Sequence, residues 1–310
     1  MTSTDMVRSE IGRFLRSPEP EVICITGEWG VGKTYTWQAG LNEVKADHSV
    51  ALTRYSYASL FGINSLESLK LTLFENLDFL DAPPDSKIAQ GLHYLRSLSS
   101  KAKQLNQLAS ALPYVGQVLS KAGPLYFSLV RNQIVCIDDL ERRGRGLHLK
   151  DVFGLISFLR EQRACKVALL LNEEALAQDK ADFDTYFEKV VDARLIFSPT
   201  AAEATQIALP RHDSAIELLR QNCEALNISN IRVIKKIERL VLQVAPHLKS
   251  LAPELTQQAV HSLTLFGWSK FQPKLAPPID FTASVIPSDI LKEGRTRQRL
   301  RPKSRNGATY

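Results

Sequence analysis

Eight residues carry the first chemical signal in this chain: Gly27-Glu28-Trp29-Gly30-Val31-Gly32-Lys33-Thr34. Three glycines, a lysine and a hydroxyl in the order G-x-x-x-x-G-K-[ST] suit one task, which is wrapping backbone N–H groups around a phosphate. The glycines permit torsions that a side chain would forbid. Lys33 can reach the β- and γ-phosphates, and the Thr34 hydroxyl can ligate Mg²⁺. Tyr35 continues into the next element and completes the candidate nucleotide-binding set with Glu28, Trp29 and Val31. A second signal lies about a hundred residues on, where the apolar run Ile134–Ile137 ends in Asp138 and Asp139. Carboxylates at the end of a buried strand are costly unless something positive sits beside them. Asp138 is placed to hold the metal opposite Thr34. Asp139, or Glu141 as the second choice, could orient or deprotonate an attacking water.

These groups need elements to position them. Val22–Ile25 is a short apolar strand leading into the loop, and the helix after it starts at Lys33 and aims its positive dipole end at the same anion. Before the strand, Met6, Ile11, Phe14 and Leu15 recur at helical spacing, closed by Pro18 and Pro20. A second strand is expected over residues 50–57, followed by a helix capped at Asn64 or Ser65 and running through Phe79. Val152–Arg160 reads as a helix and Lys166–Leu171 as a buried strand ending at Asn172. Asn172 is either a contact for the γ-phosphate or water, or the cap of the helix beginning at Glu173. Residues 182–192 read as helical and 193–197 as another strand. From Thr200 the pattern turns all-helical, with helices over 201–208, 213–226, 231–244 and 254–271. Arg232, Lys235, Lys236 and Arg239 give the third of these a basic face, either solvated or able to close over phosphates.

The fold expected is therefore α/β: a P-loop NTPase with an open parallel sheet flanked by helices, followed by a small all-helical lid. Its domains run 1–200 (with a helical insertion at about 81–130), 201–271 for the lid, and 272–310 as an irregular basic tail. Residues 111–130 are apolar, but Pro113, Gly116, Lys121, Gly123 and Pro124 interrupt them, so a packed insertion is preferred to a membrane span. At 44% apolar and 23% charged residues the composition is that of a soluble globular protein. Residues 1–16 carry charges through any apolar run, which argues against a signal peptide. Four scattered cysteines, with Cys24 and Cys136 inside strands, suit reduced thiols in a cytoplasm better than disulfides or zinc. Seven basic residues against Glu293 after position 291 account for the whole formal charge of +6. The body is neutral. The tail at 292–305 could hold nucleic acid non-specifically, or be merely solvated or targeting.

Three segments resemble the KAP family of P-loop NTPases, within the AAA+/STAND-like group. GEWGVGKT has that family's tryptophan before the central glycine, IVCIDDLER resembles its acidic strand, and NIRVIKKI at 230–237 is similar to its lid segment. The likeness covers roughly residues 5–245. It implies an ATP-hydrolysing enzyme with the Asp138 strand adjacent to the loop strand. It also implies Asn172 as a sensor, Arg232 as a lid arginine reading the γ-phosphate, and Arg142 following the acidic pair. Glu141 stands where the family has Asp, and Ile231 where it has Pro, which loosens the register of Arg232. The expected activity is Mg²⁺-dependent ATP hydrolysis driving a conformational switch in a homo-oligomer, with Arg142 or Arg194 completing a neighbour's site. Bacterial relatives suggest phage defence. The alternative is a nucleotide-gated interaction module whose effector or sensor is a partner protein.

Overall fold

The computed structural model describes residues 3–81, 127–248 and 252–284, and the chain divides into two compact units at Pro199/Thr200. Most of the insertion and the whole tail after residue 284, including the basic stretch 292–305, lie outside the described residues.

In the first unit a six-stranded sheet is built from β1 (Val22–Thr26), β2 (Arg54–Ser59), β3 (Leu77–Phe79), β4 (Ile134–Asp138), β5 (Lys166–Leu171) and β6 (Ala193–Ile196). The order is β3-β2-β4-β5-β1-β6, parallel except for β3, which pairs antiparallel with β2. Alternation along the central strands sends side chains to two separate cores. Val22, Cys24, Val135, Ile137, Val167 and Leu169 join one core with α3 (Leu66–Glu75), α4 (Leu149–Arg163) and α5 (Lys180–Val190). Ile23, Ile25, Ile134, Cys136, Ala168 and Leu170 join the other with α1 (Ser3–Arg16) and α2 (Lys33–Ala46). Both faces are covered, as a parallel sheet requires. Trp37 of α2 is fully buried, its ring 6.0 Å from that of Phe14, and its indole N–H donates to the Tyr55 hydroxyl at 3.1 Å.

The Asp138 strand does not lie beside the loop strand, which corrects the adjacency drawn from the family likeness. β5 stands between them, with Val167 opposite Val22 on one side and Val135 on the other. All six residues of β5 are buried, so it needs a parallel neighbour along each edge. Even Lys166 is buried, its ammonium donating to the Glu19 carbonyl at 2.6 Å and lying 4.5 Å above the Phe14 ring. The helix expected through Phe79 stops at Glu75. Asn76 leaves helical geometry and donates its amide to the Tyr57 carbonyl, and the chain returns as β3.

The second unit is helical: α6 (Ala201–Ala208), α7 (Ser214–Ala225), α8 (Ile231–Leu248), α9 (Pro253–Phe271) and α10 (Ile279–Ser284). Thr200 and Glu203 form a reciprocal capping box on α6, and Asp213 caps α7. Ile216, Leu219, Ile234, Ile237, Val241 and Val260 fill its core. The stretch after 272, read as irregular, contains α10.

Candidate functional site

The C-terminal ends of β1, β4 and β5 come to one edge, since Thr26 pairs with Leu171 and Asp138 with Leu170. Gly27, Asp138 and Asn172 therefore emerge side by side. The loop between β1 and α2 needs its glycines. A Cβ on Gly27 would stand 2.3 Å from the Phe197 carbonyl oxygen, and Gly32 precedes α2 at φ 102°, where an L side chain is strained. Gly30 is likewise at φ 84°, and Val31 anchors the loop by burying its side chain. The Lys33 ammonium curls back into the loop, donating to the carbonyls of Gly27 at 2.7 Å and Glu28 at 2.9 Å. Glu28 and Tyr35 are exposed.

Across the edge, the Thr34 hydroxyl donates to Asp138 Oδ2 at 2.7 Å. The same oxygen accepts from the Tyr57 hydroxyl at 3.0 Å, and Oδ1 accepts the Asp139 N–H at 2.8 Å. Burial nevertheless raises the Asp138 carboxyl above its usual range, outweighing the Thr34 bond, and the Asp139 charge adds to the rise. Burial, then the charge of Asp138, pushes the Tyr57 phenol up as well. A buried carboxylate strained in this way, paired with a hydroxyl, is a donor set that a hard cation relieves. Mg²⁺ commonly takes only one or two protein oxygens and fills the rest with phosphate and water. Groups of three or more acidic, histidine or cysteine ligands are absent among the described residues, as such a site allows.

Asp139 has φ 58° and turns out of the strand, where Ser59 donates to its Oδ2 at 2.7 Å and Arg142 lies 3.7 Å from Oδ1. Arg142 in turn covers the exposed Phe61 ring at 3.9 Å. Asn172 is buried at the N-cap position of the following turn, yet its side chain makes no capping bond, so the capping alternative does not hold. Arg194 is paired with Glu173 of its own chain. Arg232, in the second unit, is exposed near the start of α8, whose first turn is capped by Asn230. Thus the structure gathers the loop residues with Asp138, Asp139 and Asn172. Tyr57 and Ser59 are additions that sequence reasoning missed, because only the pairing of β2 with β4 sets Ser59 opposite Asp138.

The fold is that of AAA+ P-loop NTPases. The ORC2 protein of Aeropyrum pernix in its ADP form superposes with a TM-score of 0.52 at 15% identity, over 83% of this chain and 67% of that one. Domain III of the Thermotoga maritima replication initiation protein DnaA matches 84% of this chain and 91% of its own at 15% identity, with a TM-score of 0.47. Cdc6p of Pyrobaculum aerophilum gives a TM-score of 0.46 at 14% identity, over 79% of this chain and 61% of its own. At such identities the likeness is one of fold alone, and this chain spans about two thirds of the Aeropyrum protein. No family model matches the sequence, and no curated protein does. Among the described residues no helix is long and apolar enough to cross a membrane.

Proposed function

We propose that the chain is an Mg²⁺-dependent ATPase that acts as an oligomeric conformational switch. The observation that carries this reading is the Thr34–Asp138 contact of 2.7 Å beside a glycine loop that folds Lys33 inward. In this reading the loop N–H groups and Lys33 grip the phosphates, while Thr34 and Asp138 hold the metal. Bound Mg²⁺ supplies charge neutralisation along the phosphates. Asp139 accepts a proton from the attacking water or orients it, and Asn172 stands at the same edge to contact that water or the terminal phosphate. The KAP likeness assigns Arg232 as the arginine that reads the γ-phosphate. Arg142 or Arg194 is the candidate for supply to a neighbouring copy; both are partly exposed, and each is paired within its own chain, Arg142 with Asp139 and Arg194 with Glu173. The KAP likeness supports ATP as the nucleotide and a place in bacterial phage defence. The same reading puts the chain in the cytoplasm, with the basic tail 292–305 as its contact to nucleic acid.

A second reading has a specific observation behind it. Asp139 is held by both Ser59 and Arg142, which favours slow turnover and a nucleotide-gated module whose effector or sensor is a partner protein. Turnover measured at several protein concentrations separates the two. A shared site gives a rate that rises faster than linearly with protein, since an arginine supplied in trans can accelerate hydrolysis about 10³-fold or more. A rate strictly proportional to protein removes the shared site. ATP binding without Mg²⁺-dependent turnover moves the assignment to the gated module.

A further inference from the structure

Trp29 lies within the phosphate loop, is 49% exposed and belongs to neither core of the first unit. Its indole N–H donates to Glu141 Oε1 at 2.6 Å, across 112 positions of sequence. The bond ties the rim of the loop to the short turn Leu140–Arg142 that follows the two aspartates. The other carboxylate oxygen, Glu141 Oε2, is buried and has no hydrogen-bond partner among the described residues. An acceptor left in that condition costs stability, and such a group in a native protein calls for an explanation.

We propose that the Trp29–Glu141 pair sets how the site discriminates a nucleoside triphosphate from a diphosphate. The inference rests on the nucleotide-binding reading above and gives that site a specificity device. Lys33, Thr34 and Asp138 form the inner end of the cradle, sufficient for a diphosphate and its metal. A chain of phosphates that extends from there toward Asp139 meets the rim that the Trp29–Glu141 bond closes. A third phosphate brings negative charge against the Glu141 carboxylate, a repulsion strengthened where water is excluded. It also competes for Trp29, because an indole has a single N–H to give. A diphosphate leaves the bond intact, whereas a triphosphate must break it and take the donor. The pair therefore biases the intact site toward the diphosphate, and releasing it removes the bias.

The test is titration of Mg·ADP and Mg·ATP separately into the wild-type chain, Trp29→Phe, Glu141→Leu and the double variant. Thermal melts check that each variant is folded. The ratio of ADP to ATP affinity is expected to fall about tenfold in Glu141→Leu, the size of one hydrogen bond to a charged group, and by less in Trp29→Phe, which leaves the Glu141 charge in place. The double variant falls no further than Glu141→Leu, because that change already removes both the bond and the charge. Glu141→Gln keeps an acceptor but loses the charge, and gives an intermediate ratio should Glu141→Leu fail to fold. In the wild type, ATP but not ADP shifts the tryptophan emission, and the shift is missing in Trp29→Phe. An unchanged ratio in the folded variants, with nucleotide still bound, overturns the inference and leaves the binding reading standing. A wild-type chain that binds neither nucleotide defeats both.

Discussion

Asp139→Asn is expected to lower Mg²⁺-dependent ATP turnover by about 100- to 10,000-fold while leaving ATP affinity within a few fold. The change is nearly isosteric. Asparagine tolerates the φ of 58° at this position, and its amide oxygen can still accept the Ser59 hydroxyl that now holds Oδ2 at 2.7 Å. Only the charge and the proton-accepting capacity are lost. Because Asp138 keeps its own contacts to Thr34 and Tyr57, the metal and phosphate grip survives. Phosphate release followed beside equilibrium ATP binding separates the two effects. Turnover that persists in Asp139→Asn removes Asp139 from the chemistry and leaves Glu141 as the remaining acid of that turn.

Trp37→Ala is expected to cost about 3–5 kcal/mol of stability, the range for emptying a large aromatic site in a core. Trp37 is fully buried between α1 and the sheet, packs on Phe14, and leaves the Tyr55 hydroxyl without its donor when removed. Both penalties fall on α2, the helix whose first residues are Lys33 and Thr34. Trp37→Phe keeps most of the volume and is expected to cost about 1–3 kcal/mol, from the unsatisfied Tyr55 hydroxyl. Midpoints of urea unfolding at unchanged slope check both values. Equal losses for the two variants would mean that the hydrogen bond, rather than the packing, carries the effect.

The loop and the acidic strand were legible in the sequence because their chemistry is local. Gly27, Gly30, Gly32, Lys33 and Thr34 lie within eight residues, and Asp138 directly follows a run that can only be a buried strand. The order of the strands was not, since it depends on which edges each strand must satisfy. KVALLL announces burial on both faces, yet nothing in it says that its neighbours are β1 and β4. Tyr57 and Ser59 shared that fate: they read as ordinary strand residues until β2 is placed against β4, when both come within bonding distance of the two aspartates. Lys166, the first residue of β5, is wholly buried, its charge met by the Glu19 carbonyl and, at 3.8 Å, by Glu21. Burial lowers its pKa, with Glu21 opposing the shift. The Trp29–Glu141 bond joins residues whose separation hides any pattern. Asn172 was ambiguous between capping and contact, and only the missing cap bond decides against capping.

This loop is expected to grip the phosphates of a nucleotide. Calorimetric titration of Mg·ATP into the wild-type chain and into Lys33→Ala measures that. Wild-type binding that weakens about a hundredfold in the variant, with the melting temperature of the ligand-free protein nearly unchanged, is the predicted result. Equal affinity in the two proteins, or no binding by the wild type with Mg²⁺ present, contradicts it.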